Sequence, residues 1–440
     1  MKAPGIIAAL MLAVLPLSAR TEAQAPETAV PAAKTPFDRR AAQLVELFND
    51  GIAFADYFAP SFQVALSETQ FRAVTKGLIA QYGHVLLVEK ASSADGRSGT
   101  LQLRFEKGVG TVLLDVGADA DARVTGLRLT GFTMDSDSFE EVAAEIAALP
   151  GHTGFLVAEL DGDAIHPLAA AEADRQFAVG STFKLYILDE LAAEVAAGKR
   201  RWADVVPLSH LSFSSLATAN WPRDTPVTLQ TLANWMISVS DNGAADTLIH
   251  LLGRERIEER MRAAGHSDPS RNIPFLTTVE AFALKGNNFS DLRARFVGAD
   301  DKTQRRLIAD NRDRLILDHV DGVSFTAGPR FIDSLEWFAS PRDIARLMID
   351  IKARQSGEAM AAMAINTGLG PVAADDWRYL GYKGGSENGV LSMSLLGQRK
   401  PDGKWFVITA SWNNPDANVD TNAFVGLVTR LLALAANSGG

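Results

Sequence analysis

Strand-like runs at 153–160, 165–168, 379–383, 389–396 and 405–412 stand at the two ends of a long stretch that is otherwise patterned for helices. A sheet assembled from both ends of one segment closes only if the intervening helices fold back over it. Residues 151–440 are therefore expected to form a single α/β unit in which an antiparallel sheet is covered by helices. Asp161-Gly162-Asp163 reads as the tight turn of a hairpin. Helical periodicity runs from the Gly180-Ser181 step through Leu185, Ile187, Leu188 and Leu191, again over 229–237, and over 418–436. No internal repeat is evident.

Ahead of this unit the pattern differs. Residues 41–48 and 68–82 carry helical apolar spacing, and strand-like runs follow at 85–88, 100–105, 111–116 and 124–131. Helices followed by an antiparallel sheet predict a small α+β, cone-like domain over 36–135, with Lys107 on a turn between two strands. Its element order resembles a ketosteroid-isomerase-type accessory domain. A helix over 139–149, ending at Pro150-Gly151, connects the two units across 136–150.

The first residues read as an export signal over 1–25: Lys2 supplies charge, 6–17 is apolar, and Ala23-Gln24-Ala25 has the form of a cleavage site. The apolar run is short for a bilayer span. Residues 26–35, rich in Pro, Ala and Thr, read as a tether. A periplasmic or secreted protein without stable membrane insertion is expected. With no cysteine, disulfides, thiolate metal sites and a Cys nucleophile are excluded. The seven histidines lack zinc-ligand spacing, so no metal or other cofactor is expected. A formal charge of −10 with no basic block argues against a nucleic-acid partner. Nothing in the sequence fixes an oligomeric state.

Ser181-Thr182-Phe183-Lys184 puts a hydroxyl and an amine three residues apart, on neighbouring points of one helical face. Serine is a poor nucleophile until a base lies within hydrogen-bond reach, and a lysine with a lowered pKa serves. Alone, the motif is equally a solvated helix start. Ser240-Asp241-Asn242 falls in a turn between two helices, where each residue type is also a good N-cap. Lys383-Gly384-Gly385-Ser386 falls at the end of a strand, its glycines allowing close approach to the backbone.

Taken together and in this order, S-x-x-K, S-D-N and K-G-G resemble the class A β-lactamase and penicillin-binding family of serine hydrolases. The stretches at 225–249 and 338–348 also look like the helices around such sites, so the resemblance covers about 151–440. It implies an all-helical lobe beside the sheet and an acyl-enzyme mechanism. Ser181 is then the nucleophile, Lys184 the base or proton partner, Ser240 the proton shuttle and Lys383 the electrostatic anchor. Asn242, Gly384, Gly385 and Ser386 fall in the substrate-binding positions, with the backbone N–H groups of Ser181 and Ser386 as the oxyanion hole.

Two departures from the family pattern stand out. The E-x-x-L-N segment that carries the water-activating Glu is missing, and Glu280 is the carboxylate placed to substitute. Gly384 stands where the family has Thr or Ser, which removes about 1 kcal/mol of substrate recognition. Residues 286–320, rich in Arg and Asp, look like an insertion. The expected activity is hydrolysis of a β-lactam or a small ester or amide. The alternative is a penicillin-binding or ligand-sensing module that acylates without efficient turnover, and a third reading makes the first domain a ligand-binding cone beside an inert scaffold.

Overall fold

The computed structural model describes residues 35–369, 374 and 376–438; the signal and nearly all of the tether expected over 1–35 lie outside them. Five helices open the chain: α1 (Pro36–Ala42), α2 (Leu44–Phe48), α3 (Phe54–Tyr57), α4 (Pro60–Ala65) and α5 (Glu68–Tyr82). Capping boxes start the first and the last: Thr35 with Asp38, and Ser67 with Gln70, exchange side-chain and backbone hydrogen bonds that satisfy otherwise orphaned N–H groups. Gly83, at φ +82°, stops α5.

Four strands follow as an antiparallel meander: β1 (Val85–Ser93), β2 (Ser98–Phe105), β3 (Gly108–Val116) and β4 (Val124–Met134). Their helix-facing side is sealed by aromatic rings, among them Phe37, Phe48, Phe58, Phe71, Phe105 and Phe132. Several meet edge to face, the arrangement that ring quadrupoles favour. This core is separate from those of the rest of the chain.

Helix α6 (Phe139–Ala147) leads into the hairpin of β5 (His152–Asp161) and β6 (Ala164–Ala171), followed by the two-residue β7 (Phe177–Ala178). At the far end come β11 (Trp377–Glu387), β12 (Val390–Arg399), β13 (Trp405–Asn413) and α16 (Thr421–Asn437). These assemble the expected antiparallel sheet in the order β11-β12-β13-β5-β6, so that distant ends of the segment pair through β13 and β5. Strands β12 and β13 are buried almost residue by residue, because each face of the sheet is covered. One face packs under α6 and α16 around Phe406, Ile408, Trp412, Phe424 and Leu431.

The other face carries the helical layer: α7 (Lys184–Ala196), the short pair β8 (Val205–Pro207) and β9 (Pro226–Thr228), α8 (Leu229–Ser238), α9 (Asn242–Leu252), α10 (Arg254–Ala263), α11 (Thr278–Lys285), α12 (Ser290–Phe296), α13 (Asp301–Asp310), β10 (Phe338–Ala339), α14 (Pro341–Ala353) and α15 (Gly357–Ala364). The charged stretch at 286–320 thus forms two further helices of this layer, with Leu292, Phe296, Leu307 and Ile308 in its core. Helix α16 also joins the two cores. It packs on β4, and its buried Arg430 pairs with Asp137 at 2.7 Å and with Glu145 at 2.8 Å.

Candidate active site at Ser181

Ser181 lies in a single 3-10 turn, Gly180–Phe183, that precedes α7. The sequence pattern places the helix start at the serine; the structure places it at Lys184. Phe183 fixes the turn by stacking on Trp337, ring centroids 3.8 Å apart, while Gly180 adopts φ +48°. The Lys184 side chain is wholly buried and its Nζ lies 3.2 Å from Ser181 Oγ. Nζ also donates to the Ser240 carbonyl and to Asn242 Oδ1, each at 2.6 Å, and lies 3.2 Å from Ser240 Oγ. Burial lowers the Lys184 pKa to about 7 against the weaker pull of Asp241 and Asp246.

The Ser240-Asp241-Asn242 turn divides its labour. Asp241 is the N-cap of α9, accepting from Ala244 N at 2.8 Å, and it also holds the backbone of Ala217 and Thr218. Asn242 is already the first helical residue, and its Nδ2 donates to the Phe213 carbonyl. Ser240 has φ +57°, a conformation that costs a non-glycine residue on the order of 1 kcal/mol. That backbone aims its hydroxyl between two amines, because Lys383 Nζ lies 3.0 Å away on the other side. Burial, and then repulsion from Lys184, push the Lys383 pKa well below the lysine range.

The sequence reading ends a strand at Lys383; instead β11 continues through Glu387, and Lys383-Gly384-Gly385-Ser386 sits inside it. The strand lies hard against the serine turn. A Cβ on Gly385 would fall 2.0 Å from the Val179 carbonyl and 2.5 Å from Ser181 N, so no side chain fits there. A Cβ on Gly180 would fall 3.1 Å from Ser386 N, which places the backbone of Ser386 beside the same turn. At Gly384 the space is taken by Tyr382: a Cβ would meet its hydroxyl at 2.0 Å. Burial raises the Tyr382 pKa to about 12, so that hydroxyl keeps its proton.

A cavity of about 30 Å³ opens beside Ser181, lined also by Asn242, Phe282, Lys285, Glu336, Ser386 and Glu387. Its helical wall is one stripe of α11, formed by Thr278, Ala281, Phe282 and Lys285, at spacings that put them on one face. Glu280 is off that stripe, which corrects its expected place as the water-activating carboxylate. It forms a bidentate pair with Arg254, at 2.8 and 3.1 Å, and closes a capping box with Thr277. Helix geometry turns it away from Ser181.

The sequence reading missed the charges that do reach the cavity. Lys285 Nζ lies 2.5 Å from Glu336 Oε1 and 2.6 Å from Glu387 Oε1. Burial opposes charge on Lys285, but the two carboxylates outweigh it and hold the pKa above the ordinary value. Burial first, then repulsion from Glu336, raises Glu387 to about 8. Glu387 was discoverable from strand periodicity, since residues 383, 385 and 387 share one face. Among the described residues no group of three His, Cys, Asp or Glu is arranged to hold a metal ion, and no helix is long and apolar enough to cross a membrane.

A family model described as the beta-lactamase enzyme family matches residues 137–367, more than half of the chain. The match takes in Ser181, Lys184, Ser240 and Asn242 and stops short of Lys383. Similar solved structures include a β-lactamase from Sphaerobacter thermophilus DSM 20745, at 20% identity and a TM-score of 0.45, covering 68% of this chain and 97% of that one. A β-lactamase from Chitinophaga pinensis DSM 2588 is 16% identical at 0.45, covering 69% and 98%. An ancestral (GNCA) class A β-lactamase is 19% identical at 0.45, covering 68% and 100%. No curated protein matches the sequence. The assignment therefore rests on the family match: the chain belongs to the beta-lactamase enzyme family.

Proposed function

We propose that the protein is an exported serine hydrolase that forms an acyl-enzyme on Ser181 and acts on a β-lactam or a small ester or amide. The observation that carries this reading is the chain of contacts Ser181–Lys184–Ser240–Lys383, whose polar atoms follow one another at 3.0–3.2 Å. Donor counting gives it direction. A neutral Lys184 has two N–H bonds, and the Ser240 carbonyl and Asn242 Oδ1 accept both at 2.6 Å. Its lone pair then remains for the Ser181 proton, and a pKa of about 7 makes the neutral form abundant at neutral pH.

Ser181 Oγ attacks the carbonyl carbon as its proton passes to Lys184. Backbone N–H groups of Ser181 and Ser386 stabilise the oxyanion. Ser240 passes a proton onward to the leaving nitrogen or oxygen. Two ammonium groups around one hydroxyl repel each other, so charging either lysine favours the neutral form of the other. An anionic substrate group places the charge on Lys383 and leaves Lys184 as the base. Export is supported by the N-terminal pattern of Lys2, the apolar 6–17 and Ala23-Gln24-Ala25.

The test is mass spectrometry of the folded chain after exposure to a chromogenic cephalosporin and to simple esters. An acyl adduct on Ser181, lost in Ser181→Ala, is the expected result. Folded protein that never gains an adduct rules the reading out.

A further inference from the structure

We infer that the carboxylate pair Glu336–Glu387, held by Lys285, is the base that activates the water releasing the acyl group from Ser181. This rests on the acyl-enzyme reading above and assigns the step for which Glu280 is out of place. Glu336 and Glu387 are the carboxylates that line the cavity at Ser181, and they approach it from two separate segments. Glu387 stands on the same face of β11 as Lys383 and Gly385, two residues beyond the glycine that abuts Ser181 N. Its side chain is 17% exposed, against 2% for Glu336, so it is the member more open to solvent. The cavity volume of about 30 Å³ matches one or two water molecules.

Glu336 also accepts from Trp337 N at 3.0 Å, and the other acidic groups nearby are committed away from the cavity. Asp241 spends its oxygens on α9 and on residues 217 and 218, and Asp246 accepts the N–H groups of Thr278 and Val279 at the start of α11. One ammonium facing two buried carboxylates is one positive charge short of neutrality. The cluster therefore holds one carboxyl proton over the range in which the carboxylates repel each other, leaving one ionised member as base. The charged groups acting on Glu387 are Lys285 from α11 and Glu336 from the segment before β10.

In the step itself the water oxygen bonds to the acyl carbon while the water gives a proton to the ionised carboxylate. The C–O bond to Ser181 then breaks. The same proton returns to Ser181 Oγ, so the products are the free acid and the restored hydroxyl, and the cluster ends as it began. Lys285 is a positioning residue: it fixes both carboxylates through ion pairs at 2.5 and 2.6 Å.

Full-length wild type, Glu387→Gln and Glu336→Gln are each acylated with the chromogenic cephalosporin, and formation and loss of the Ser181 adduct are timed separately. Acylation is expected to stay within a few-fold of wild type. Adduct loss is expected to slow by about 100-fold or more in at least one variant, as for removal of a general base. Should Glu387→Gln fail to fold, Glu387→Asp keeps the charge that Lys285 needs while withdrawing the carboxylate, and slower adduct loss is again expected. Adduct loss at the wild-type rate in the folded variants overturns the inference. A wild-type adduct that persists for hours overturns it too, while leaving acylation standing. Absence of any wild-type adduct instead removes the acyl-enzyme reading on which both rest.

Discussion

Lys184 and Lys285 are both buried and both reach the surroundings of Ser181, yet they are solvated by the protein in opposite ways. Lys184 meets neutral oxygens only, with a second lysine beyond Ser240, and its pKa falls to about 7. Lys285 meets two carboxylates within 2.6 Å and its pKa rises. The same side chain is thus pushed towards its neutral form in one region and held as a cation in the other. Burial is common to both; the partners decide.

Replacing each lysine by methionine, of similar length and no charge, separates the two regions most strongly. Lys285→Met leaves the ionised member of the Glu336–Glu387 pair without its counter-ion in the interior and is expected to cost about 3–5 kcal/mol of stability, the range for breaking a buried ion pair. Lys184→Met removes an ammonium that burial already disfavours, while leaving two acceptors unpaired at about 1–3 kcal/mol each. These terms oppose one another, so its loss is expected to be clearly smaller, with acylation abolished. Urea denaturation of both variants at neutral pH checks this. Equal losses would erase the distinction drawn between the regions.

Proton linkage sharpens the comparison. The folded-state pKa of Lys184 lies below its ordinary 10.5, so between about 7 and 10.5 the unfolded chain binds a proton that the folded chain does not. Its contribution to stability therefore grows as pH rises through that window. Glu387 lies above its ordinary 4.5, so between 4.5 and about 8 the folded chain holds the extra proton, and stability falls as pH rises. For activity, acylation should increase up to tenfold per pH unit below about 7 and level off above it. Stopped-flow acylation rates against pH test this, and a flat profile would remove Lys184 as the base.

How far the chain could be read in advance follows the range of each signal. Ser181 and Lys184 are three residues apart, and local helical geometry suffices to bring them together. The hairpin, the strands at 377–413 and the closing helix were legible from periodicity, though β11 ran on through Glu387 because the glycines that suggested an end are needed for contact with the serine turn. Asp241 was not separable from Ser240 and Asn242 as the cap, since all three types cap well. The Lys285–Glu336–Glu387 cluster comes from three distant segments, and only Glu387 carried a local clue. Glu280 could not be judged from its place in the chain, because that place does not say which face of α11 it takes.

That last point gives a smaller expected effect. Glu280→Gln keeps the capping box, because glutamine serves at the third helical position as glutamate does. It loses the charge that pairs with Arg254, at a cost of about 1.5–3 kcal/mol, because the pair is largely buried and its hydrogen bonds are charge-assisted. Timed loss of the Ser181 adduct should match wild type. Slowing of 100-fold would move the water-activating role from the Lys285 region back to α11.

The smallest change in stability is expected at Ser240, between the two amines of the first region. Its φ of +57° suits glycine better than serine, so Ser240→Gly relieves about 1 kcal/mol of backbone strain while removing the only hydroxyl that bridges Lys184 and Lys383 among the described residues. Glycine also gives back some of that gain through the greater freedom of the unfolded chain. The variant should therefore melt within a few degrees of wild type, with acylation slowed by about 100-fold or more for want of a proton path to the leaving group. A thermal melt paired with the acylation rate reads both quantities. A variant that acylates normally would show that the strained turn serves the fold alone, and that the lysines exchange protons without it.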